Sequence, residues 1–227
     1  MIIGIDGPAG SGKSSTARAV AARLGFRHLD SGAFYRALTL AALRAGISSD
    51  EWLNLTPQQL GGFNIHGEPN QHGFRMFIDE EDVSNEIRSP EVSGRVSMMA
   101  RVPAVRDWLL ERLRSVAGNT DLVADGRDIG TVVFPEADLK IFLIADSDVR
   151  ARRRLNEMGV AAPEQETVES EIARLLERDR LDSEREVAPL VQAPDAIVID
   201  TSHMSFDEQV DAVVSLAKQR LEANAAN

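Results

Sequence analysis

The chain has 227 residues, 43% of them hydrophobic and 27% charged, which suits one soluble globular domain and is too apolar for a disordered chain. It has no cysteine, which excludes thiol catalysis, disulfides and cysteine-held zinc or iron–sulfur sites and fits a reducing cytoplasm. A formal charge of −11 opposes non-specific binding to polymeric nucleic acid or an anionic membrane.

Met1-Ile2-Ile3-Gly4-Ile5 lacks the basic flank of a signal peptide, and no apolar run reaches the roughly 18 residues of a membrane helix. The expectation is a soluble, cytoplasmic protein. Ile2–Ile5 reads as a buried strand, followed by a glycine-rich turn. Ala17, Val20, Ala21 and Leu24 then recur at helical spacing, with Gly25 as C-cap. Arg27–Leu29 is a second strand candidate, ending at Asp30-Ser31-Gly32. The next helix turns Leu38, Ala41, Ala42 and Ala45 inward and stops at Gly46.

From Ser48 to Arg88 the texture changes. Thr56-Pro57 has the form of an N-cap followed by proline in the first helical position. Phe63–His66 and Phe74–Ile78 alternate, with turn formers across Gly67–Gly73 between them, so a small antiparallel insertion is expected. Ser89-Pro90 and Pro103 each open a helix, the second with Val105, Trp108, Leu109 and Leu113 on one side. Met98-Met99 reads as core. Leu122–Ala124 and Leu139–Ala145 read as strands, the latter central. Residues 148–187, dense in arginine and glutamate, contain a helix with Val168, Ile172, Leu175 and Leu176 inward. Ala196–Ile199 is the last strand and Phe206–Leu221 the last helix. His28, His66, His72 and His203 show no metal spacing and read as structural or exposed.

Strands alternating with helices predict an α/β fold with a five-stranded parallel sheet covered on both faces. Ligands in such folds bind beyond the carboxyl ends of the strands. Asp6–Ser14, Asp30–Gly32 and Asp125–Asp128 fall at those ends. The first contains Gly7-Pro8-Ala9-Gly10-Ser11-Gly12-Lys13-Ser14, a full G-x-x-x-x-G-K-[ST] match between a strand and a helix. Its backbone amides, with those of Ser15 and the helix start, would cradle the phosphates of ATP. Lys13 would reach the β- and γ-phosphates, and Ser14 would ligate Mg²⁺. The only lysines are Lys13, Lys140 and Lys218, preceded by Gly12, Leu139 and Ala217. The N/T-K-x-D guanine-reading motif of GTPase switches is therefore missing. Asp125 reads equally as a magnesium-side acid or a capping residue. Arg127-Asp128 could be a structural ion pair, Arg36 a surface arginine on an amphipathic helix and Arg150–Arg154 a solvated charged face.

Asp30-Ser31-Gly32-Ala33-Phe34-Tyr35-Arg36 resembles the D-S-G-x-x-Y-R segment of bacterial cytidylate kinases, which are P-loop nucleoside monophosphate kinases. The run from Asp125-Gly126-Arg127-Asp128 to Phe134-Pro135 resembles their D-G-R-D-x-G-T-V-V-F-P block. Glu177-Arg178-Asp179, Arg185 and Val187–Leu190 resemble their lid-side pattern. The resemblance implies a three-layer P-loop core over 1–47, 89–147 and 188–227. It also implies a monophosphate-side insertion over 48–88 and a helical lid over 148–187. Its activity would be ATP-dependent phosphorylation of CMP and dCMP to CDP and dCDP, with UMP a weak acceptor. The alternative is a small-molecule kinase with another acceptor.

By the same resemblance Arg36 and Arg127 hold the acceptor phosphate, and Ser97, Arg106 and Asp128 read the cytosine. Arg178, Asp182 and Arg185 meet sugar or phosphate. Ser31 and Tyr35 line the acceptor side, and Arg150–Arg154 belong to the lid. Lys13, Arg127, Arg153 and Arg178 are the implied catalytic cations, and a monomer is implied.

Overall fold

The computed structural model describes residues 1–70, 73–118 and 120–225. Its five-stranded sheet has the order β2-β6-β1-β7-β8, the parallel arrangement expected. The strands are β1 (Ile2–Asp6), β2 (Arg27–Asp30), β6 (Leu122–Gly126), β7 (Leu139–Ile144) and β8 (Ile197–Asp200). Two compact units divide the chain, one formed by 1–26 with 121–227 and the other by 27–120.

In the first unit β1 runs parallel to β6 on one side and to β7 on the other, with Asp6 opposite Gly126 and Ile5 opposite Ile141. Near-continuous apolar runs build these strands because both faces are covered. Helices α1 (Lys13–Leu24) and α8 (Phe206–Ala225) bring Ala17, Val20, Val210, Val213 and Ala217 onto Ile3, Ile5, Val123, Ile141 and Leu143. Strand β8 departs from the expected coverage, since Ile197 and Val198 are exposed on this sheet edge. Helix α6 (Ser147–Glu157) and helix α7 (Gln165–Ser183) form a smaller apolar cluster of Ala151, Leu155, Val168 and Leu175 with Ala9 of the glycine loop. Leu176, expected inward, is exposed, and the buried turn position is Glu171 instead. The 168–171–175 spacing keeps one narrow face, and Leu176 lies just past it.

In the second unit Asp30 caps α2 (Ser31–Arg44) by accepting from the Ala33 N–H at 3.0 Å. Ala45 is the exposed C-cap residue rather than a core position, because the helix has already ended. Thr56 and Ser89 cap α3 (Pro57–Gly62) and α4 (Pro90–Met99), each followed by proline as expected. Helix α5 (Pro103–Ala117) buries Val105, Leu109 and Leu113. Trp108 is only half-buried, under the Arg112 guanidinium at 3.4 Å from the ring centroid. Met99 is core and Met98 is exposed.

The insertion is antiparallel, as expected: β3 (Ile65–Asn70), β4 (Gly73–Ile78) and β5 (Glu81–Asp82) in that order. The stretch from Gly67, expected to be a turn, is largely strand. Gly67 pairs with Met76, and a Cβ there would lie 2.0 Å from the Phe74 ring, so its glycine makes room for an aromatic side chain rather than a turn. His66 stacks on Phe77 at 5.0 Å, His28 is buried, and His203 is exposed. His72 lies outside the described residues.

Candidate active site

The glycine loop leaves β1 and wraps the start of α1. Gly7, Gly10 and Gly12 all have positive φ, and a Cβ on Gly7 would sit 2.2 Å from the Leu143 carbonyl oxygen. Only glycine lets the backbone turn this tightly against a neighbouring strand. Lys13 is buried at the helix start, and its Nζ donates to the Pro8 carbonyl at 3.1 Å. Burial, then the neighbouring Arg127 and Arg178 guanidiniums, push the Lys13 ammonium down to about 7, against the pull of Asp125 and Asp182. Ser11 is buried with its hydroxyl oxygen unpartnered, and Ser15 is exposed on α1.

Ser14 donates its hydroxyl to Asp125. Asp125 lies inside β6, opposite Ile5, so it caps no helix. A hydroxyl and a carboxylate side by side at the loop are hard oxygen donors of the kind Mg²⁺ takes.

Arg127 and Asp128 do not pair with each other as their adjacency suggests. Arg127 Nε donates to Asp182 at 2.8 Å, and Arg185 Nη2 donates to Asp128 at 3.5 Å. These two bonds tie the segment after β6 to the end of α7. Burial alone would raise the Asp182 carboxyl, but Arg127, Arg178 and Arg185 together hold it below the usual carboxylate range. Arg178 is the exception in this cluster. It makes no hydrogen bond or ion pair among the described residues, and its Nε is buried without a partner. Burial, then Arg127, push its guanidinium down to about 10.

The arginines of α6 divide by role. Arg150 donates to the Ala9 carbonyl at 2.9 Å and pairs with Asp179, whose other oxygen accepts the Ala9 N–H at 2.8 Å. Arg153 is held by Thr201, at 3.0 Å to the hydroxyl and 2.7 Å to the carbonyl. Arg152 and Arg154 pair with Asp148 and Glu157, Arg152 on an exposed face.

The second unit gathers another polar set. Arg36 Nη1 donates to the Ser93 hydroxyl at 2.8 Å and the Ile87 carbonyl at 3.3 Å, so it is not a free surface arginine. Arg88 donates to the buried Asp30 at 3.0 Å. Burial alone would raise the Asp30 carboxyl; Arg88, His28 and Arg36 outweigh it and hold the group low. Arg106 is buried, donates to the Ala100 carbonyl at 3.0 Å, and lies 5.4 Å from the Tyr35 ring centroid. Ser31 and Ser97 are buried in the same unit.

A family model described as "Cytidylate kinase" matches residues 3–219. The chain belongs to the cytidylate kinase family. A cytidylate kinase of Pelodictyon phaeoclathratiforme is 46% identical, over 97% of this chain and 96% of that protein. One of Mycobacterium avium is 44% identical, over 98% and 97%. A crystal structure of an uncharacterized protein from Eubacterium ventriosum aligns over 95% of this chain and 97% of its own. Its TM-score is 0.52 at 11% identity, a likeness of fold alone.

Of the residues expected at the site, Lys13, Ser14, Arg127, Asp128, Arg178, Asp182 and Arg185 lie in the first unit. Ser31, Tyr35, Arg36, Ser97 and Arg106 fall in the second. The residue pattern gave no role to three polar anchors: Arg88, which pairs with Asp30, Ser93, which accepts from Arg36, and Asp179 of α7, which accepts from the glycine loop. Asp179 follows Arg178 directly, and of the two only Asp179 binds the loop, a difference that helical periodicity does not report. Among the described residues, no group of three or more His, Cys, Asp or Glu side chains is placed to hold a metal ion. No helix of the described residues is long and apolar enough to cross a membrane.

Proposed function

We propose that this chain transfers the γ-phosphoryl group of ATP to CMP and dCMP, giving CDP and dCDP, with UMP a poor acceptor. The observation that supports this most directly is the unpartnered Arg178, half-buried like Arg127 and close enough to Lys13 for their charges to repel, at a glycine loop. Three cations crowded until burial and mutual repulsion lower two of their pKa values call for a polyanion. A triphosphate meeting a monophosphate supplies one.

Lys13 and the loop amides hold the donor phosphates. Arg127, exchanging some of its hold on Asp182, neutralises charge building between donor and acceptor, and Arg178 shares that task. Ser14 and Asp125 would hold Mg²⁺, which supplies further charge neutralisation on the donor phosphates. No strong general base is needed, because a phosphate with second pKa near ~6 is already largely ionised at neutral pH. By the family resemblance, Arg36 takes the acceptor phosphate, and Ser97, Arg106 and Asp128 read the cytosine. Arg178, Asp182 and Arg185 meet the sugar or phosphate, and Arg153 braces the lid helices against the loop. Segments 48–88 and 148–187 are the parts that close on substrate, and the enzyme works as a cytoplasmic monomer.

A coupled ADP-release assay offering CMP, dCMP, UMP, AMP and shikimate tests the reading. CMP and dCMP should give the highest turnover. CMP turnover no greater than background ATP hydrolysis overturns it, and turnover with shikimate alone moves the protein to another acceptor class.

A further inference from the structure

Asp6 ends β1, one residue before the glycine loop, and none of the phosphate-binding roles falls on it. Its carboxylate is buried. One oxygen accepts the Ile129 N–H at 2.8 Å and the other the Gly130 N–H at 2.8 Å. Two consecutive amides aimed at the two oxygens of one carboxylate form a bidentate, charge-assisted grip. The gripped residues open a single π-turn, Ile129–Val133, whose wide i→i+5 bonds run from Val133 N–H to the Asp128 carbonyl and from Phe134 N–H to the Ile129 carbonyl.

The fit around that turn leaves little slack. A Cβ on Gly130 would meet the Lys140 side chain at 3.1 Å and Asp6 Oδ2 at 3.5 Å, and one on Gly4 would meet Ile129 Cγ2 at 3.0 Å. The turn is therefore seated directly on the end of β1. Arg127 and Asp128 immediately precede it, and their side chains reach to Asp182 and Arg185. Asp6 thus anchors their backbone from below while α7 holds their side chains.

Resting on the function proposed above, we infer that Asp6 is a positioning residue for the acceptor nucleotide, setting Arg127 and Asp128 through its grip on the Ile129 and Gly130 amides. An asparagine could accept only one of those bonds and would turn an NH₂ toward the second amide. Burial pushes the Asp6 carboxyl up to about 6 against the pull of the two amides, so it is still mainly ionised at pH 7 and keeps both acceptors.

The test is a double-mutant cycle on Asp6→Asn and Arg127→Ala, with native-state amide exchange alongside. Asp6→Asn should lower kcat/KM for CMP by about 10- to 100-fold, as loss of a supporting contact does at other sites. KM for ATP should change by less than about threefold. In the Arg127→Ala background the same substitution should cost several-fold less than in the wild type, because one of the two groups it positions is gone. In the unsubstituted protein, the Ile129 and Gly130 amides should exchange as slowly as those of β1, and this readout needs no variant to fold. Full additivity in the cycle, an equal loss for both substrates, or fast exchange at 129 and 130 overturns the inference. Failure of the inference alone leaves wild-type CMP turnover intact, whereas a wild-type protein inert toward CMP overturns the function with it.

Discussion

Arg36 and Arg127 show how one residue type is put to work by its surroundings. Each guanidinium is already aimed by protein acceptors, Ser93 and Ile87 for one and Asp182 for the other. Such pre-aimed groups lose little entropy on meeting a phosphate. Arg36→Ala and Arg127→Ala should each lower kcat/KM for CMP by about 10²-fold or more, since each removes a charge-assisted contact. Steady-state kinetics measure this, and near wild-type values for either variant would remove that arginine from the phosphate site.

Two carboxylates make opposite contributions to stability with pH. Asp6 is raised from an ordinary aspartate value to about 6, so the folded state holds its proton more tightly than the unfolded chain. Folding therefore loses stability as pH rises from about 4 to about 6, by about 3 kcal/mol at roughly 1.4 kcal/mol per pKa unit. Asp182 is lowered, so it contributes stability above its unfolded value that is lost only as pH falls through its still lower folded value. Urea denaturation across this range should show Asp6→Asn flattening the change between about pH 4 and 6. An unaltered slope would mean that Asp6 does not titrate there.

At the scale of elements, the local signals are strong where one residue carries them. Thr56 accepts the Gln59 N–H and Ser89 the Val92 N–H, each just ahead of a proline, and Gly25 takes the positive φ that ends α1. Signals that depend on a neighbouring element are weaker. Gly67 is a turn former by composition but a strand residue in fact, because Phe74 of β4 fills the space beside it. Gly67→Ala would put a methyl group into the Phe74 ring and within 3.0 Å of Phe34. It should destabilise the protein by about 1–3 kcal/mol, the usual cost of overpacking, read as a lower urea midpoint with an unchanged slope. Leu176 fails for a related reason: helical spacing says which residues share a face, not how wide a face the partner covers.

For the whole molecule, the residues proposed to hold the donor phosphates lie in 1–26 with 121–227, and Arg36, Ser97 and Arg106 of the proposed acceptor set lie in 27–120. Native-state amide exchange should therefore separate the ligands. A non-hydrolysable ATP analogue should protect the glycine loop and α6–α7, and CMP should protect 48–88 and the start of α2. CMP without effect on exchange anywhere in 27–120 would count against acceptor binding there.

The sequence alone determined the glycine-loop motif, the five strands of the parallel sheet, the caps at Thr56 and Ser89 and the family, though it showed one helix in 148–187 where the structure has α6 and α7. Each of these is written in neighbouring residues: Gly7 through Ser14 between an apolar strand and an amphipathic helix, or three short blocks around Asp30, Asp125 and Glu177. Only the tertiary structure decided the pairings. Arg127 passes over its neighbour Asp128 to reach Asp182, and Asp6 holds amides more than a hundred residues away. Those bonds depend on the register of β1 against β6 and on where α7 ends, and hydrophobic periodicity, which reports the face a side chain occupies, carries no information about which distant charge it meets there.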